Sequence, residues 1–209
     1  MAIASYERAL LAADSPFDRW YFGKDTDALS ARAQHGFELF RGAAGCIGCH
    51  HVSKSEALFT DQGYHNTGVG YAASSSARGG IRKLPMAPGT SVLVDTRALD
   101  SVGGGRQSDL GLYELTGRPD DRWKYRTPSL RNVGLTAPYM HDGSLPTLEA
   151  VVRFYDGGGV ENDGRDPRVR PLGLDENEIA ALVEFLEALT GSNVGALVED
   201  ALAAPVGGG

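Results

Sequence analysis

The stretch Cys46-Ile47-Gly48-Cys49-His50 constrains this chain more than any other. It reads C-x-x-C-H, the attachment motif for a c-type haem. Two thiols two residues apart on a short helical turn can form thioethers to the two vinyl edges of one porphyrin. The imidazole that follows then falls under the iron as proximal ligand. Cys46 and Cys49 are the only cysteines in the sequence, so no four-cysteine zinc site competes within it. A thioredoxin-like C-x-x-C expects a βαβ context, which the sequence lacks. A zinc site would need two more ligands from scattered histidines. The expectation is therefore one covalent haem c, held by Cys46, Cys49 and His50.

The chain has 209 residues, enough for one domain with an appendage, and 42% of them are hydrophobic, enough for a core. Glycine, at 28 residues, is about twice its average usage. That composition predicts long irregular loops, which a haem can help to hold together. The net charge of −7 argues against nucleic acid as a partner. No apolar run reaches the length of a membrane span. Met1-Ala2-Ile3-Ala4 leads straight into an amphipathic segment rather than a signal peptide. Haem c is attached outside the cytoplasm. A periplasmic location is therefore expected, with a leader already removed or with this chain as one piece of a larger exported polypeptide.

Read in order, residues 4–12 predict a short helix, with Tyr6, Leu10 and Leu11 on one side. Ser15-Pro16 and Asp18 read as a turn, with Phe17, Trp20, Tyr21 and Phe22 as core or contact surface. A helix is expected over 27–41, with Leu29, Ala33, Phe37 and Phe40 on its apolar face, ended by Gly42 and Gly45. Residues 51–105 read mostly as loop, with breakers at Gly79-Gly80 and Gly103-Gly104-Gly105. Further helices are expected over 108–116, from 146 or 147 to 155, and over 175–190. The last has a capping-box start at Asp175 and Glu178 and an apolar stripe of Ile179, Leu182, Val183, Leu186 and Leu189. The tail from 192 is weakly helical. The fold class is mainly α: a cytochrome c-like haem domain with long irregular loops and little or no sheet. Its divisions are an N-terminal junction segment over 1–25, the haem domain over 26–191 and a C-terminal tail over 192–209.

An ordered series of motifs then carries a resemblance. It runs through Asp14-Ser15-Pro16-Phe17-Asp18, Gly45-Cys46-Ile47-Gly48-Cys49-His50 and Tyr64-His65-Asn66-Thr67-Gly68. It continues with Tyr125-Arg126-Thr127-Pro128-Ser129-Leu130-Arg131-Asn132-Val133 and Ala137-Pro138-Tyr139-Met140-His141-Asp142-Gly143-Ser144. Over about residues 5–191 the series resembles the C-terminal half of bacterial dihaem cytochrome c peroxidases, and more closely the MauG-like branch. The segment before Cys46 is also similar to the N-terminal helix of small cytochromes c. The resemblance implies two haem domains, with peroxide reacting at the N-terminal haem. The C-terminal haem passes or stores oxidising equivalents. This sequence carries one C-x-x-C-H, so hydrogen peroxide chemistry would need a second haem domain or subunit. A small redox protein or protein substrate is the other implied partner. No residue of this chain is assigned a catalytic role.

Tyr155 is the first candidate for the sixth iron position. It shares a helical face with Leu148, Val151 and Val152, which directs it into apolar surroundings. In the peroxidase branch a Met ligand stands eighth in the helix that begins Leu-Glu; counted from Leu148-Glu149, that place is Tyr155, as in MauG-like proteins. Met140, Met86 and an open or histidine-filled site are the alternatives, and a plain core tyrosine is the bland one. Arg126 and Arg131 flank Pro128 and could bind the haem propionates or form surface ion pairs. The resemblance also implies calcium on backbone carbonyls of Thr136 and Pro138, with further ligands from the other half. His35 is expected on the surface and His51 pointing away. His65 and His141 are possible haem-edge contacts. Ala44 stands where some MauG-like proteins carry a surface Trp for electron hopping, leaving Trp20, Trp123 or tyrosines to substitute. The competing functions are a stand-alone monohaem electron carrier and a non-catalytic sensor or assembly module.

Overall fold

The computed structural model describes residues 13–76, 81–87, 90–95 and 109–203. The helix expected over 4–12, the glycine breakers at 79–80 and 103–105, and Ser108 lie outside the described residues. In chain order the helices are α1 (Pro16–Tyr21), α2 (Ala31–Arg41), α3 (Val69–Ser76), α4 (Tyr113–Thr116), α5 (Leu148–Asp156), α6 (Glu176–Glu187) and α7 (Val194–Ala203). The strands are β1 (Tyr64–His65), β2 (Ile81–Ala87), β3 (Thr90–Asp95) and β4 (Tyr125–Arg126). The fold is thus mainly helical, with two two-stranded antiparallel sheets, β1 with β4 and β2 with β3.

The chain forms two compact units. One comprises residues 1–63, 127–157 and 171–209, and its core is aromatic. Ser15 caps α1 by accepting from Asp18 N, and the Asp18 carboxylate accepts from Ser15 N in return. This places Phe17, fully buried, against Phe37, Phe59 and Phe185 with ring centroids 5.2, 5.3 and 5.7 Å away. Ser30 caps α2, whose buried face runs through Ala33, Gly36, Phe37, Leu39 and Phe40. Asp175 and Glu178 form the capping box of α6, which buries Ile179, Ala181, Leu182, Phe185 and Leu186. The two helices meet backbone to backbone at Gly36, where a Cβ would lie 2.0 Å from the Ala181 carbonyl oxygen. Only glycine permits that approach. α5, capped by Thr147, packs Leu148 and Val152 into the same core.

The other unit comprises residues 64–126 and 158–170. Asn66 is its buried hub. Its side chain accepts from Gly68 N at 2.8 Å and donates to Asn162 at 2.9 Å, and its carbonyl accepts from Asp166 N. β1 pairs with β4 in the register Tyr64 to Arg126 and His65 to Tyr125. Within the span 51–105, read as mostly loop, the structure places α3 and the β2–β3 hairpin. Likewise the helix expected over 108–116 is ordered as helix only at Tyr113–Thr116, and Ser15-Pro16 begins a helix rather than a turn.

Candidate haem-attachment site

Gly42 closes α2, and Gly45, at φ +65°, turns the chain into the short 3-10 helix Cys46–Gly48. His50 N then donates to Cys46 O at 2.9 Å, extending the turn so that both cysteines and the histidine ride on one compact coil. No disulfide joins Cys46 and Cys49. Both are half-buried. Burial, with Cys49 close by, pushes the Cys46 thiol up to about 12.

The His50 ring is oriented by backbone. Its Nδ1 lies 2.8 Å from the carbonyl oxygen of Phe59. A carbonyl only accepts, so Nδ1 carries the proton and Nε2 the lone pair. Phe40 lies beside the imidazole, ring centroids 6.4 Å apart. Tyr155 sits near the C-terminal end of α5, one turn after Val152. Burial pushes its phenol well above the ordinary tyrosine value, and the neighbouring Cys46 and Cys49 push it in the same direction. The phenol is therefore within electrostatic reach of both thiols. Two thiols, an imidazole with a fixed tautomer and a desolvated phenol make a donor set that fits a covalently held porphyrin iron.

The remaining expected residues lie elsewhere or are otherwise engaged. Arg131 forms an ion pair within the chain. Its Nη1 donates to both Asp18 carboxylate oxygens at 2.7 Å, and its Nε donates to Ala57 O at 2.7 Å. The guanidinium is thus paired with a carboxylate of the chain itself. Arg126 is exposed on β4, in the other unit. Met140 stands at φ +70° in the turn bridged by Tyr139 and Leu145. Met86 lies on β2, and its side chain is outside the described residues. Thr136 and Pro138 are exposed on the segment after the 3-10 helix Val133–Leu135. His35 and His51 are exposed as expected, and so is His141. His65 bonds through Nδ1 to Asp166 at 2.9 Å, and Arg168 with His65 holds the Asp166 carboxyl well below its ordinary range.

Sequence reasoning missed Phe59 and Asp18. Phe59 acts through a main-chain oxygen, which no side-chain pattern encodes. Asp18 reads as part of a turn in the sequence, and its bond to Arg131 spans 113 positions.

An aromatic-cored helical unit that presents C-x-x-C-H on a tight turn defines the cytochrome c class of fold. Known proteins bear this out. The family described as RoxA-like, cytochrome c-like matches residues 124–154. Cytochrome-c peroxidase IdrP1 of Denitromonas iodatirespirans is 41% identical over 193 residues, 90% of this chain and 48% of that protein. Methylamine utilization protein MauG of Methylorubrum extorquens is 33% identical over 188 residues, 90% of this chain and 42% of that protein. Among solved structures, a MauG-like protein associated with microbial copper homeostasis aligns with a TM-score of 0.66 at 29% identity, over 92% of this chain and 52% of that one. The chain is a relative of the bacterial dihaem cytochrome c peroxidases and MauG, and haem c is the cofactor this kinship supports. It spans about half the length of the curated relatives it matches.

Proposed function

We propose that this chain is a c-type haem domain of a peroxidase-type oxidoreductase, matching the half of the dihaem enzymes that passes or stores oxidising equivalents. In this reading Cys46 and Cys49 would hold one porphyrin, and His50, through Nε2, and Tyr155, through its phenol oxygen, are the residues that would ligate its iron. The observation that carries it is the oriented His50 imidazole, with a desolvated phenol beside the same two thiols. When bound, the haem supplies a one-electron ferric–ferrous couple. The chain's own groups do the rest. Phe59 O keeps the His50 proton on Nδ1. The Phe17, Phe40, Phe59 and Phe185 cluster keeps water from that flank. As an iron ligand, Tyr155 would favour the oxidised state and a low potential, where Met140 would raise it.

Arg126 remains the candidate propionate partner. Thr136 and Pro138 carbonyls would give calcium part of its shell, with the other ligands from a companion domain. That companion would supply the peroxide-reacting haem, and a small redox protein or protein substrate would exchange electrons with the pair in the periplasm. No helix among the described residues is long and apolar enough to cross a membrane. The segments 1–25, 26–191 and 192–209 are proposed as junction, haem domain and tail.

The test begins with denaturation in acidified organic solvent, where the colour is expected to stay on the polypeptide. The ferric EPR and optical spectra should then change in Tyr155→Phe. Unchanged spectra with a sulfur-to-iron band would assign a methionine instead. Peroxide turnover with a reduced donor is expected when the companion haem domain is added. Its absence with every natural partner leaves an electron carrier.

A further inference from the structure

The carbonyl that orients His50 belongs to a residue whose backbone resists the shape it holds. Phe59 lies at φ +53°, a left-handed conformation unfavourable for a bulky side chain. Its neighbours keep it there. Phe59 N donates to His51 O at 3.1 Å. On one side Ala57 O accepts from Arg131 Nε and Leu58 O from Ser129 Oγ, both at 2.7 Å. On the other, Thr60 Oγ1 donates to Thr127 O at 2.7 Å. Arg131 does more than tie one carbonyl. Its guanidinium carbon lies over the Phe59 ring, 5.3 Å from the centroid. Its other end is clamped by Asp18, itself locked in the capping box of α1. Arg131 thus joins α1, the Ala57 backbone and the Phe59 ring.

We propose that Arg131 is a positioning residue for His50. By holding Phe59 O against Nδ1–H, it keeps Nε2 a strong donor and so holds down the redox potential of the iron that His50 would bind. The inference rests on His50 as the iron ligand. It has a signed consequence. Loosening the carbonyl weakens Nε2 as a donor, destabilises the ferric state and raises the potential. Had Arg131 acted through its charge, on a propionate or through space, removing the cation would disfavour the electron-rich ferrous state and lower the potential. The two roles move the same quantity in opposite directions.

The experiment uses the full chain with its covalent haem. Midpoint potentials are measured for the parent, Arg131→Gln, Arg131→Lys and Asp18→Asn. Exchange of the paramagnetically shifted His50 Nδ1 proton is followed by NMR. Arg131→Gln is expected to raise the potential and speed the exchange. Arg131→Lys, a single ammonium that cannot fork between Ala57 O and Asp18, and Asp18→Asn should shift both in the same direction by less. These two carry the test if the glutamine variant does not fold. A potential that falls or stays put, or an exchange rate that does not rise, overturns the inference. Absence of any histidine ring proton in the shifted region of the parent spectrum overturns His50 ligation instead.

Discussion

Asp18 gathers several partners on one carboxylate: Ser15 N and Oγ from its own helix cap, and Arg131 from a distant loop. Burial alone would raise its pKa, but the Arg131 and Ser15 bonds more than offset that and hold it below its ordinary 3.8. A depressed carboxyl binds fewer protons folded than unfolded. Its contribution to stability is therefore complete above the ordinary value and is lost as pH falls through the folded value. Asp18→Asn is expected to cost about 1 kcal/mol at neutral pH and to flatten the dependence of stability on pH below about 4. Denaturant titrations at a series of pH values check both. The same residue marks what a sequence shows and hides. Cys46, Cys49 and His50 stand out in the sequence by their C-x-x-C-H spacing, and the burial of the Tyr155 phenol could be read from its place on the helix face of Leu148 and Val152. The cation at residue 131 was legible as a cation near Pro128. Its anion, from the other end of the unit, was not.

At the scale of elements, helices with caps and stripes declared themselves. α6 was expected over 175–190 and runs Glu176–Glu187 from its Asp175 cap. α5 was expected from 146 or 147 to 155 and runs Leu148–Asp156. α3 did not declare itself, because Val69-Gly70-Tyr71-Ala72-Ala73-Ser74 has no 3.6-residue apolar rhythm. The hairpin had its signal: alternating Leu84, Met86 and then Val92, Val94 flank Pro88-Gly89. It lies between the glycine breakers at 79–80 and 103–105, in a span read mostly as loop. Ser15-Pro16 was ambiguous for a different reason. Serine at the cap and proline at the first helical position serve a helix start as well as a turn. The close approach of α2 to α6 gives a sharper prediction. Gly36→Ala puts a methyl into the Ala181 carbonyl, so the helices must part. A loss of about 3 kcal/mol is expected, read as a lowered thermal midpoint with no change of charge or polarity.

The whole molecule interleaves two units along one chain: residues 64–126 and 158–170 form one of them between segments of the other. No composition shift marks those crossings, which is why the linear division into junction, domain and tail does not anticipate them. The aromatic core reaches its rim at Trp20, half-buried and 5.8 Å from the Phe37 ring, and ends at Phe40 beside His50. In the proposed reading the porphyrin lies against the same core as this indole, which has an optical consequence. Light energy absorbed by Trp20 should drain into the strongly absorbing pigment instead of being re-emitted. The loaded protein should glow faintly in the near ultraviolet, and a Cys46→Ala/Cys49→Ala chain stripped of pigment should glow more strongly. Trp20→Phe should remove most of that gain, leaving the emission of Trp123. Equal brightness with and without the pigment would contradict its placement against this core, so a simple lamp and detector can report whether the chain is loaded.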